Sequence, residues 1–188
     1  LQAKNISVGA NFRFGSNRSG DVNTIKNAVK DKDIRLNIIS VLEDAEGRIS
    51  SSRVRDLLQK SDLKKASEIL KRPYSFSGKV IKGKGLGKKL GFPTANLSID
   101  GRKFLPGEGV YAAWTTIENY PNKLFSIMNL GSQPTIDPIL PSSVEVHIIN
   151  EEINLYDFNL TVEPIQRLRS QIKFKNIEEL SNQIKICL

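Results

Sequence analysis

The spacing of hydrophobic positions changes partway along the chain, and with it the expected architecture. Ile6-Ser7-Val8-Gly9 reads as a short strand that runs straight into a Gly/Asn/Arg/Ser loop. Residues 34–42, IRLNIISVL, form a second apolar, β-branched run of the kind found in a buried parallel strand. A helix is expected next, with Ser50, Ser51 or Ser52 as its cap and Val54, Leu57 and Leu58 on one face. A second helical stretch carries Leu63, Ala66, Ile69 and Leu70, and stops at Pro73, which cannot continue a helix. From Tyr74 the period is two: Tyr74, Phe76 and Val80 alternate with Ser75, Ser77 and Lys79. Runs at 109–117, 123–130, 143–149 and 158–163 behave similarly between Pro- or Gly-bearing turns, the pattern of an antiparallel sandwich or barrel. Helical spacing returns at Ile177, Leu180 and Ile184, with Asn176 as N-cap and Glu179 as its capping-box partner. The expected organisation is therefore an α/β segment over 1–72 and an all-β domain with a closing helix over 73–188.

Composition narrows the function classes. A chain of 188 residues suits one ordinary domain, or one small domain plus part of another. It has no apolar run near the roughly 18 residues that suggest a membrane span, and no charged-then-apolar leader, so a soluble cytoplasmic protein is expected. One cysteine, Cys187, excludes an internal disulfide framework, and one histidine, His147, argues against a His/Cys zinc cluster. Any metal is expected to be a hard cation held by oxygen. The formal charge of +8 suits either a nucleic-acid surface or a local basic site for nucleotide phosphates. Lys and Arg are dispersed from Lys4 to Lys185 without a long basic block, which argues against nucleic acid.

The densest candidate chemistry lies in Gly83–Asn96, GKGLGKKLGFPTAN. Gly83, Gly85 and Gly87 let backbone N–H groups approach a ligand closely, and Lys88 and Lys89 supply positive charge beside them, which is what a nucleotide phosphate requires. The Walker A pattern fails, because Lys82 stands where its first Gly should be and Lys89 where its Ser or Thr should be. A Rossmann fingerprint fails too, since Gly91-Phe92-Pro93 forbids a helix from that turn. Thr94 and Asn96 stand two apart, so in an extended segment both side chains face one way. They suit a divalent ion shared with phosphate oxygens, although an isolated Thr-Ala-Asn run more often forms a turn held by local hydrogen bonds. In VEVHII, Val144, Val146 and Ile148 form one face, while Glu145 and His147 point to the other.

Together these segments carry a resemblance. GKVIKGKGLGKKLGFPTANL at 78–97 resembles the signature of riboflavin kinases, in particular the C-terminal half of bacterial bifunctional riboflavin kinase/FAD synthetases. GANFRFGSNRSGD at 9–21, ISSSRVR at 49–55, MNLGSQPTI at 128–136 with VEVHII at 144–149, and RLRSQIKF at 167–174 fall in the family's order. The resemblance implies a remnant of a nucleotidyltransferase domain over 1–72, followed by a six-stranded antiparallel Greek-key barrel with a C-terminal helix. It also implies transfer of the ATP γ-phosphate to the riboflavin 5′-hydroxyl, giving FMN with Mg²⁺ as the metal. Gly83, Gly85, Gly87 and Lys88 would then cradle phosphates, Thr94 and Asn96 hold metal and nucleotide, and Glu145 act as the base. Arg169 would lie on the flavin side, and Asn129 and Gly131 near the nucleotide. Ser51, Ser52 and Arg55 match the second ATP motif of the adenylyltransferase domain. Trp114, Met128 and Phe104 are expected in the core, and His147 at the surface or behind the site.

Several positions depart from the family. Its HxGH-type adenylyltransferase motif does not occur in these residues, so FMN adenylylation is not expected from this chain alone, although a partner could supply the remaining part. Lys88 stands for the usual Arg, Asn150 for an acidic residue, Gln171 for a Glu, and Cys187 near a customary Asp. These changes leave two rivals to the kinase: a non-catalytic flavin- or nucleotide-binding remnant, and a basic barrel that binds RNA.

Overall fold

Residues 3–83, 85, 87, 91–131, 143–151 and 153–172 are described by a computed structural model. They fall into two units, residues 1–50 and 51–188. In the first unit, β1 (Asn5–Gly9) and β2 (Arg35–Ile39) pair in parallel, from Asn5 opposite Arg35 to Gly9 opposite Ile39. The crossover between them contains α1 (Val22–Val29). This helix starts where it does because Asp21 and Thr24 form a capping box: the Asp21 carboxylate accepts from the Thr24 N–H, and the Thr24 hydroxyl accepts from the Asp21 N–H. Just before it, a side chain on Gly20 would come within 2.7 Å of the Phe14 ring, which would have to move to admit it. A small hairpin, β3 (Glu43–Asp44) with β4 (Gly47–Arg48), follows β2. Within the run 34–42, Arg35–Ile39 form a parallel strand as expected, but it is not buried. Ile38 and Ile39 are 48% and 59% exposed, because among the described residues β2 pairs only with β1 and α1 contributes no fully buried side chain.

The second unit begins with α2 (Ser51–Gln59) and α3 (Leu63–Leu70). Asp62 caps α3 by accepting from the Lys65 N–H, and Lys71 in the left-handed conformation (φ 55°) ends it before Pro73. Six strands follow: β5 (Phe76–Ile81), β6 (Ala95–Ile99), β7 (Gly109–Ile117), β8 (Lys123–Gly131), β9 (Ser143–Ile148) and β10 (Asn159–Arg169). They close an antiparallel barrel in the spatial order β5, β6, β9, β8, β7, β10. The chain passes from β6 over to β7, meanders back to β9 beside β6, and returns with β10 between β7 and β5, which is a Greek key. Alternate residues fill the interior, and the polar ones between them face out, as the period of two requires. The helix expected around Ile177–Ile184 lies outside the described residues.

Leu57, Leu58, Leu63 and Ala66 join the same core as the barrel strands. The Tyr111 hydroxyl lies 2.8 Å from Ser61 Oγ and donates to the Gly107 carbonyl, and the Gly107 N–H donates to the Leu58 carbonyl at 2.9 Å. A side chain on Gly107 would sit 2.4 Å from the Gln59 carbonyl oxygen, so glycine is what lets the helices approach this closely. The two units accordingly divide after Ser50, whereas the change of period set the expected boundary at 72/73. Period reports secondary structure, and α2 and α3 differ from the strands in period while sharing their core.

Of the three large side chains expected inside, Met128 is fully buried. Trp114 is 41% exposed: it occupies an outward position on β7 and packs edge-on against Phe125 at 5.3 Å. Phe104 is also exposed, in the segment after β6, where its carbonyl accepts from the Tyr74 hydroxyl.

Candidate active site

Strand register builds a polar row on the outside of the barrel. Asn96 on β6 lies directly opposite Glu145 on β9, and Glu145 opposite Asn129 on β8. Residues directly opposite in an antiparallel pair share a face, with Cβ atoms about 5 Å apart. That face is the outer one, because the alternate residues Ala95, Leu97, Val144, Val146, Met128 and Leu130 fill the core. All three polar residues are half-buried. A carboxylate residue thus stands between two amide residues on one face, partly shielded from water.

Gly83 lies against one end of this row. A side chain on Gly83 would fall 2.1 Å from Asn96 Nδ2, so glycine is what allows this approach. At Gly87 it would fall 2.4 Å from the Phe92 carbonyl and 3.0 Å from Thr94 Oγ1. The Phe92 N–H donates to the Gly87 carbonyl at 2.9 Å, closing the loop on itself. Gly85 takes φ 67°, a conformation that favours glycine. Lys88 and Lys89 lie outside the described residues. Thr94 is exposed immediately before β6, and Asn96 is the second residue of that strand.

The contacts of two further residues were not foreseen in the sequence. His147 Nδ1 donates to the Pro93 carbonyl at 2.8 Å, and its ring meets Phe92 edge-on at 5.9 Å. Gln171 Nε2 donates to Asn129 Oδ1 at 2.7 Å and to the Leu130 carbonyl at 2.9 Å, pinning the chain after β10 to the end of β8. At this position, where the family resemblance leads one to expect Glu, a carboxylate could donate neither bond. For His147 a signal existed, since it shares a strand face with Glu145. For Gln171 none did.

Other expected site residues lie further off. Arg169 is opposite Val110 on β7, and Val110 is opposite Asn129, so Arg169 stands three strands from Glu145, roughly 14 Å along the sheet at ordinary strand spacing. Ser51, Ser52 and Arg55 are exposed on the first turns of α2. Gly131 ends β8, opposite Ser143 and against Gln171.

As cation ligands, Thr94 Oγ1 and Asn96 Oδ1 offer neutral oxygens. Among the described residues no group of three His, Cys, Asp or Glu could hold a metal by itself. The donor set suits a hard cation that takes most of its ligands from phosphate and water, as Mg²⁺ does in nucleotide sites. No helix among the described residues is long and apolar enough to cross a membrane.

Comparison with known proteins places this barrel among relatives. A bifunctional riboflavin kinase/FMN adenylyltransferase from Haemophilus influenzae is 35% identical over 191 residues, covering 98% of this chain and 59% of that protein. Proteins of the same description from Buchnera aphidicola subsp. Schizaphis graminum and Escherichia coli K12 are 36% and 32% identical, with 59% and 58% of their lengths covered. The chain therefore spans a little under three fifths of these relatives. A crystal structure described as a macrolide-efflux protein from Streptococcus pneumoniae superposes over 98% of this chain and 58% of its own, with 30% identity and a TM-score of 0.82. A family model described as FAD synthetase matches residues 1–53, and one described as riboflavin kinase matches residues 70–186. With more than half of its length covered by the latter, the chain belongs to the riboflavin kinase family.

Proposed function

We propose that this chain phosphorylates riboflavin, moving the γ-phosphoryl group of ATP to the 5′-hydroxyl of the ribityl chain to give FMN and ADP. The observation that carries this reading is the cross-strand row Asn96–Glu145–Asn129 lying against Gly83. Phosphoryl transfer to an alcohol needs positioned phosphates, a divalent ion and a group that accepts the hydroxyl proton. Gly83, Gly85 and Gly87, with Lys88, are the candidates for the phosphate cradle. Thr94 and Asn96 would hold Mg²⁺, which when bound neutralises charge on the phosphate oxygens. Glu145 takes the proton from the ribityl oxygen as that oxygen attacks the γ-phosphorus, and ADP leaves from the opposite side. Arg169 would contribute on the flavin side, and the cytoplasm, where ATP is abundant, is the compartment this chemistry fits.

The test is direct. Riboflavin and MgATP are incubated with the chain and the flavins separated by chromatography. FMN that appears with Mg²⁺, and vanishes with EDTA or in Glu145→Gln, is the expected result. Unchanged riboflavin overturns the reading, and riboflavin that binds without ATP consumption points instead to a flavin-binding remnant. FAD is not expected from these 188 residues alone, because the sequence contains no HxGH motif. Ser51, Ser52 and Arg55 would serve adenylylation only together with a partner or segment that supplies the rest of that site.

A further inference from the structure

We infer that His147 is a positioning residue for the nucleotide side of the site: through Pro93 and Phe92 it fixes Thr94 and Gly87 in register with the strand that carries Glu145. This rests on the kinase reading above and adds a residue to it. The last backbone pair between β6 and β9 at this end is Ala95 opposite Val146. Beyond it lie Thr94 and Pro93, and proline has no N–H with which to extend the ladder. There the His147 side chain takes over, donating from Nδ1 to the Pro93 carbonyl at 2.8 Å. Its ring also meets Phe92 edge-on at 5.9 Å. Phe92 in turn donates its N–H to Gly87, against which Thr94 packs. One imidazole thus ties β9 to both the loop and the threonine.

The contacts of His147 are with Pro93 and Phe92, and they set the direction of the effect. Losing the tie frees Thr94 and Gly87 while leaving Glu145 on its paired strand, between Asn96 and Asn129. Nucleotide binding should therefore suffer more than proton abstraction. The donor is the nitrogen nearer the backbone, which an asparagine amide reproduces at the same reach and leucine does not.

The experiment compares wild type, His147→Leu and His147→Asn in the full chain, by steady-state kinetics, by calorimetric titration with MgATP in the absence of riboflavin, and by thermal melting. In His147→Leu the KM for MgATP and its dissociation constant should both rise about tenfold, with kcat lowered less than about threefold, as expected when a binding interaction is lost. His147→Asn should restore the dissociation constant to within about threefold of wild type. Unchanged MgATP affinity in His147→Leu overturns the inference. So does a loss in both variants that merely tracks a lowered melting temperature, since a purely structural role would not separate them. A wild-type chain that binds MgATP but makes no FMN overturns the kinase reading and leaves this one standing on the titration. A wild-type chain that binds no MgATP overturns both.

Discussion

Glycine 83 shows how much of the candidate site hangs on single atoms. Its missing side chain is the space in which Asn96 sits, and a methyl group there would lie 2.1 Å from Asn96 Nδ2. Gly83→Ala should therefore displace the Asn96 amide or the loop and raise the KM for MgATP by about tenfold, while the melting temperature changes little because the contact lies outside the barrel core. An unchanged KM would mean that the loop does not bear on the nucleotide. Glu145→Gln is the complementary change, keeping the shape of the side chain and removing its basicity. Turnover should fall by about 10²-fold or more with MgATP affinity retained, and the pair of measurements separates positioning from proton transfer. At this scale the outward placing of Glu145 was legible in the sequence because a period of two tells which strand residues share a face, whereas the roles expected of Thr94, Asn96 and Glu145 came from the family resemblance. The partners of His147 and Gln171 were not legible, since they lie 54 and 42 residues away and only the register of the closed barrel brings them together.

Among the elements, α1 carries a pH dependence that can be signed. The Asp21 carboxyl is held below its ordinary value of 3.8, chiefly by the hydrogen bond it accepts from the Thr24 backbone N–H; desolvation is the next largest effect and opposes it, while the Thr24 hydroxyl and the Arg13 charge lower it further. A carboxyl whose folded value is depressed adds stability that is present above the unfolded value and lost as the pH falls through the folded one. The start of α1 should consequently loosen as the pH drops below about 4, seen as a lower hydrogen-exchange protection factor at the Thr24 amide, and Asp21→Asn should flatten that response. Tyr111 offers a second test, within the barrel unit. Its hydroxyl bridges Gly107 and Ser61, so Tyr111→Phe should cost about 1–2 kcal/mol in a denaturant titration. Strand existence and direction were legible from periodicity for β1, β2, β5 and β7 to β10. The exposure of β2 was not, because an apolar β-branched run says what a strand is suited to bury against and nothing about whether that layer is present.

For the whole molecule, the point of greatest reach is where the barrel unit starts. Hydrophobic period and the family match both begin the barrel near residue 70, yet its core includes Leu57, Leu58 and Leu63. Full burial of a leucine is worth about 2 kcal/mol, so these three contribute roughly 6 kcal/mol, as an upper estimate. That is comparable with the entire stability of an ordinary domain, about 5–15 kcal/mol. A chain that starts at Ser51 should thus fold cooperatively and keep the FMN-forming activity proposed above, since Asn96, Glu145 and Asn129 all lie on strands within that unit. One that starts at Tyr74 keeps the same site residues but uncovers the apolar side chains that α2 and α3 shelter, and loses the Ser61 partner of Tyr111. It should melt far lower or aggregate, and lose activity for want of a folded barrel. If instead the shorter chain matched the longer one in melting temperature and turnover, the helices would be passengers on a barrel that closes by itself. Failure of the Ser51 chain alone to fold would place part of the barrel's stability in residues 1–50.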